Sequence, residues 1–256
     1  MTLKRGDLVT RISYNHDTVF KIVNIKNDIY YLKGIEVRLY ADALEEDLQE
    51  YIESDTESEN ASDEEINLDR SEYFYLPAKI LHIDGDKDYL AKCLDYYKKK
   101  GVLAIGKKIS EENISQNITS LIMEYKPDII IITGHDAYYR KKNNPSDLKN
   151  YRNSANFVKA VQAARKYEKS HEKLVIIAGA CQSNFEELIR AGANFASSPK
   201  RVNIHALDPA IIATTIALTE RGHEINLLDL LDKTKYGHDG IGGIKMNGLM
   251  YVGYPR

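Results

Sequence analysis

Two reactive residues stand where a run of buried aliphatics gives way to a polar loop. DIIIITGHD leads into Gly134-His135-Asp136, and KLVIIAGACQS leads into Ala180-Cys181-Gln182. A free thiol has a pKa of about 8.5 and becomes a working nucleophile when an imidazole holds or removes its proton. Consecutive parallel strands joined by a right-handed helical crossover tend to be neighbours. Their ends then lie about 5 Å apart, or about 10 Å with one strand between them. His135 and Cys181 are therefore read as a Cys–His dyad, with Cys181 as nucleophile and His135 as acid–base partner. The backbone N–H groups of Cys181 and Asp136 are candidate oxyanion donors. Gly134 and Gly179 either let the chain approach substrate closely or serve tight turns, and the two readings stand level.

The second cysteine, Cys93, falls on the apolar side of a helical pattern and reads as core. With no CxxC pair among two cysteines, neither a disulfide framework nor a metal site is expected, and no cofactor is called for. GHDGIGG follows no strand and opens no clear helix, so it is not read as a dinucleotide fingerprint but as a specificity loop or plain tail.

The elements around the pair alternate. AKILHID (78–84) reads as a strand. DYLAKCLDYYKKKG reads as a helix with Leu90, Cys93, Leu94 and Tyr97 on one side and Gly101 closing it. VLAIGKKI is a strand, ISQNITSLIMEYKP a helix stopped before Pro127, and DIIIITGHD a central strand apolar on both faces. NFVKAVQAARKYEKS is a helix, KLVIIAGACQS a strand, and Asn184 caps FEELIRAGA. VNIHAL is a candidate strand, and DPAIIATTIALTERG a helix capped by Asp208. This is the pattern of an α/β, doubly wound, mainly parallel sheet, assigned to residues 73–256. Residues 1–50 instead carry four or five short β-branched and aromatic runs separated by turns such as Asn27-Asp28, which suggests a small SH3-like β-barrel.

Between them, residues 51–72 read as an acidic flexible linker. Residues 45–69 hold 12 acids and no base, so the net charge of -3 hides a remainder of 26 acids against 35 bases. So acidic and apolar-poor a run cannot bury enough surface to offset its ordering entropy. No apolar window is long enough for a membrane span, the start lacks a signal-peptide core, and no basic run interleaved with aromatics points to nucleic acid. A reduced, intracellular, soluble protein is expected.

A buried strand ending in His, a helix, then a buried strand ending in Ala-Cys resembles the caspase-like clan of cysteine peptidases. The separation of 46 residues is near the ~50 of caspases. More closely, the chain resembles the YabG-type sporulation peptidases of spore-forming Firmicutes. The likeness runs from the N-terminal β segment through TGHDAYY and IIAGACQSNFEELIRAGANFASSPKRVNIHALDP to GIGGIK. It implies a caspase-like architecture and a cysteine peptidase with His135 and Cys181 at the matching positions. It further implies protein substrates among spore coat and germination proteins, cleavage after basic residues, chiefly Arg, and a place in the mother cell and on the spore coat. Many members of the wider clan have Gly after the histidine, where this chain has Asp136, which makes the Asp136 N–H a less secure oxyanion donor. Gly179-Ala180-Cys181 replaces the QAC of caspases, so Asp specificity is not implied.

Cleavage after Arg requires a carboxylate for the guanidinium. Asp136, beside the dyad, and Asp208, after VNIHAL, are the candidates. Against this, Asp208 before Pro209 reads as a helix cap, and Asp136 as a group that orients His135 or caps its loop. Two other functions compete. GACQS resembles the G-x-C-x-G elbow of amidotransferases, with Ser183 for the last Gly and His205 or His223 as base. A non-catalytic coat scaffold or binding module built on the barrel would suit the acidic run and the 18 Tyr. Nothing in the sequence sets the oligomeric state.

Overall fold

A computed structural model describes residues 3–52, 71–139 and 144–255. The chain divides into two units, residues 1–66 and 67–256. The acidic segment expected at 51–72 lies outside the described residues, apart from positions 51, 52, 71 and 72.

In the first unit five strands form an antiparallel sheet: β1 (Leu8–Arg11), β2 (Phe20–Lys26), β3 (Ile29–Gly34), β4 (Tyr40–Leu44) and β5 (Leu48–Glu50), in the order β4-β3-β2-β1-β5. Alternation sets the inside face: Tyr30 and Leu32 join Val9, Phe20, Ile22 and Leu48 in one core. Asn27 and Asp28 both adopt left-handed φ, 51° and 59°, the conformation a tight two-residue hairpin between right-twisted strands requires. Pairing β5 with β1 brings the last strand back beside the first, as the small barrel expected here demands.

The second unit opens with β6 (Phe74–Leu76) and then alternates: β7 (Ile80–Asp84), α1 (Lys87–Lys99), β8 (Ala104–Lys108), α2 (Glu111–Tyr125), β9 (Ile129–Thr133), α3 (Ser154–Tyr167), β10 (Val175–Ala178), α4 (Phe185–Arg190) and β11 (Phe195–Ser197). It continues through α5 (Asp208–Leu218), α6 (Leu227–Asp232), α7 (Gly237–Gly240) and β12 (Ile241–Gly243), and closes with β13 (Tyr251–Gly253), paired to β6. The main sheet has the order β12-β11-β10-β9-β7-β8. Every pair is parallel except β11 with β12.

Both faces are covered, which is why β9 buries all five of its residues. Ile129, Ile131, Val175 and Ile177 pack with Cys93 and Tyr97 of α1 and Ala213 and Ile216 of α5. Ile130, Ile132 and Ile176 face Ile114 and Ile118 of α2 and Phe157 and Val161 of α3. The doubly wound α/β reading is thus the observed fold. Local stops follow the sequence too: Asp86 caps α1 by accepting the N–H groups of Asp88 and Tyr89, and α2 ends on left-handed Lys126 before Pro127.

Three readings of the C-terminal part are corrected. VNIHAL forms no strand; the fifth parallel strand is β11, only three residues long and so too short to show a period. The glycine-rich stretch is not a plain tail but contributes β12, the antiparallel edge. There Gly243 lies against Phe195 so closely that a Cβ would come 2.3 Å from the ring. Asp208 is the first residue of α5, not its cap, which is Leu207.

Candidate active site

The chain leaves β7 towards β8 and returns on the other side as β9. The carboxyl ends of β7 and β9 therefore flank the switch point where doubly wound sheets place their sites. His135 follows β9 by two residues and Cys181 follows β10 by three. The two strands are direct neighbours, paired from Ile129↔Val175 to Ile132↔Ala178, a constant offset of 46 residues. The Gly179 N–H still donates to the Ile132 carbonyl at 3.0 Å, keeping that register one step further. His135 and Cys181 are separated by the same 46 residues, so each lies three residues beyond the last paired position of its strand.

The imidazole of His135 lies between two carboxylates. Its Nδ1 is 3.6 Å from Glu111 Oε1 and its Nε2 is 3.5 Å from Asp86 Oδ2, with the Tyr89 ring 5.9 Å away between centroids. The main chain of His135 is held as well: its N–H donates to Glu111 Oε1 at 2.8 Å, and its carbonyl accepts from Asn153 Nδ2 at 2.8 Å. Glu111 is the first residue of α2. Burial raises its carboxyl pKa, but the hydrogen bonds from the side chain and backbone of His135 outweigh burial and hold it below the usual carboxylate range.

Cys181 is fully buried. Its sulfur accepts the Ile204 N–H at 3.3 Å and lies 3.8 Å from the Ile204 carbonyl. The loop that carries it is clamped on two sides. Gln182, at a left-handed φ of 58°, donates its N–H to the Val202 carbonyl at 3.0 Å and accepts the Tyr138 N–H at 3.2 Å through Oε1.

Asp136 is the strut of that loop. Its Oδ1 accepts from the N–H groups of Ala137 (2.9 Å) and Asn153 (2.7 Å), and its Oδ2 from the hydroxyls of Ser154 and Ser183. Those hydroxyls in turn accept the N–H groups of Asn184 and Ala180, which bracket Cys181. Burial pushes the Asp136 carboxyl up, against these hydrogen bonds. The folded protein therefore holds this proton more tightly than the unfolded chain. The group's favourable contribution is complete below the ordinary carboxyl range and is lost as pH rises through the raised value. Asp136→Ala should orphan four donors, two of them buried hydroxyls, and cost about 3–5 kcal/mol, measurable by urea unfolding. A change under ~1 kcal/mol would remove the strut assignment.

The remaining candidates are distributed as follows. Gly134 lies beside Glu111: a Cβ there would come 2.4 Å from Oε1. Asp208 is fully buried and accepts the N–H groups of His205 (2.9 Å) and Lys235 (3.1 Å). His205 directly follows Ile204, and its Nδ1 accepts the Leu207 N–H at 3.2 Å. His223 is exposed and lies 3.4 Å from Glu220. Cys93 is buried and donates to the Ala206 carbonyl. Two acids at this site, Asp86 and Glu111, were not singled out from sequence. Both stand within three residues of the carboxyl end of a parallel strand, β7 and β8, and the rule that pointed to His135 could have found them. Among the described residues no group of three or more His, Cys, Asp or Glu is placed to hold a metal ion, and no helix is long and apolar enough to cross a membrane.

Similarity to known proteins runs along the whole chain. The family model described as YabG peptidase U57 matches residues 4–70 and 53–255. The sporulation-specific protease YabG of Bacillus subtilis (strain 168) is 43% identical over 286 aligned residues, which cover 100% of this chain and 99% of that protein.

Proposed function

The chain belongs to the YabG peptidase family, and from that premise we propose that it is a cysteine endopeptidase working with a Cys181–His135 dyad. The observation that supports this reading is that the two residues follow the carboxyl ends of the adjacent, in-register strands β9 and β10. His135 takes the thiol proton, and the Cys181 thiolate attacks the scissile carbonyl. Backbone N–H groups of Cys181 and Asp136 receive the developing oxyanion, and the imidazolium returns its proton to the leaving amine. Water then releases the acyl group, and His135 serves as base a second time. Because Cys181 is buried beneath Ile204, a substrate engages it by displacing the 202–204 segment.

The substrates we assign are spore coat and germination proteins, cut during sporulation after basic residues, chiefly Arg, by an enzyme made in the mother cell and associated with the spore coat. The name of the Bacillus relative supports the sporulation setting. Both acids considered for the guanidinium are engaged within the chain, Asp136 by four donors and the fully buried Asp208 by two backbone N–H groups, and Asp208 is the one tested first. Asp208→Asn should cost an Arg substrate roughly 3–5 kcal/mol in kcat/KM and spare neutral ones. An unchanged Arg preference would place the pocket acid elsewhere.

Active-site labelling tests the main proposal. An arginyl chloromethylketone should alkylate Cys181, as mapped by peptide mass spectrometry. A label on Cys93, or none at all, would defeat the assignment.

A further inference from the structure

The carboxylate of Glu111 reaches the site from an unexpected distance. β8, which leads into it, lies two strands from β9, about 10 Å across the sheet. The side chain crosses that gap because two glycines leave it room. A Cβ at Gly85, after β7, would come 2.3 Å from Oε1, and one at Gly134, after β9, 2.4 Å. Bare backbone at two separate strand ends thus makes space for one oxygen. That oxygen accepts the His135 N–H at 2.8 Å and faces His135 Nδ1 at 3.6 Å.

We propose that Glu111 is the positioning residue of the site: it holds the His135 main chain and faces Nδ1 with Oε1, so that Nε2, beside Asp86 Oδ2, is the nitrogen that exchanges the proton with the thiol once substrate has displaced the 202–204 segment. This rests on the Cys181–His135 reading. A carboxylate that fixes tautomer and ring orientation is the part such a dyad otherwise lacks. Asp86 caps α1 through Oδ1 and faces Nε2 with Oδ2 at 3.5 Å, but unlike Glu111 it makes no hydrogen bond to the His135 main chain. The alternative role for Glu111, an acid serving the helix dipole, is available to its exposed neighbour Glu112. The lowered carboxyl pKa of Glu111 agrees with a charged group at work beside the ring.

Glu111→Gln preserves shape and can still accept the His135 N–H, but removes the charge. It should lower kcat about 10–100-fold with little change in KM, and slow iodoacetamide alkylation of Cys181 by about tenfold. In a His135→Ala background the same change should have no further effect on alkylation, because Gln still accepts the backbone N–H and the lost charge acts only through the ring. Glu112→Gln should match the wild type. Gly85→Ala, which pushes a methyl into Oε1, should reproduce the kcat loss and should not add to Glu111→Gln. It also serves as the deciding variant if Glu111→Gln does not fold. A Glu111→Gln enzyme within twofold of wild-type kcat, or an equal alkylation loss with and without His135, would overturn the proposal. Wild-type activity in His135→Ala alone would instead overturn the dyad, a separate failure.

Discussion

Cys181→Ala should leave a folded protein with no measurable cleavage of its substrate. Removing the nucleophile of a triad enzyme costs on the order of 10⁶ in kcat, far more than any positioning effect. The folding cost is small by comparison: a buried sulfur is lost from a site whose strand and loop are held by other bonds, on the order of 1 kcal/mol. Cys93→Ala is the matched control. It removes an equally buried sulfur, in this case from the face of α1 that packs on the sheet, and should keep activity while lowering the melting temperature by a few degrees. Initial rates on a protein substrate, with melting curves for both variants, decide the matter. Loss of activity in the Cys93 variant together with retention in the Cys181 variant would transfer the nucleophile.

His135→Ala should lower turnover by about 10³–10⁴ while leaving the melting transition near that of the wild type. The backbone bonds of His135 to Glu111 and Asn153 survive the change, so the loop keeps its anchors. His205→Ala should retain most activity. His205 is close in sequence to Ile204, whose N–H meets the Cys181 sulfur, but its Nδ1 already accepts from Leu207. The pair of variants separates the peptidase reading from the amidotransferase-like one. Activity abolished in His205→Ala and kept in His135→Ala would favour the second.

Much of this architecture is legible in the chain because its signals are local. The short β-branched run of β9, stopped by Pro127 before it and Gly134 after it, reads as a strand covered on both faces, and Asn27-Asp28 as a tight turn between two β-rich runs. Asp208 and β11 show where local reasoning stops. An Asp before Pro satisfies the preferences of an N-cap and of a first helical residue alike, and only the turn actually formed at Leu207 separates them. A strand as short as β11 owes its existence to pairing with β10 and β12.

At the site the same division holds. The sequence by itself determined that His135 and Cys181 each close a buried strand, since that depends on hydrophobic runs and their ends. It also carried the family resemblance. Tertiary structure alone decided that β9 and β10 are neighbours in a 46-residue register, that Asp136 ties three loops together, and that Glu111 meets His135. Glu111 and His135 are 24 residues apart, on elements with another strand between them. No periodicity encodes such a meeting; it follows from strand order and from two glycines whose missing side chains only the assembled sheet brings to the same oxygen.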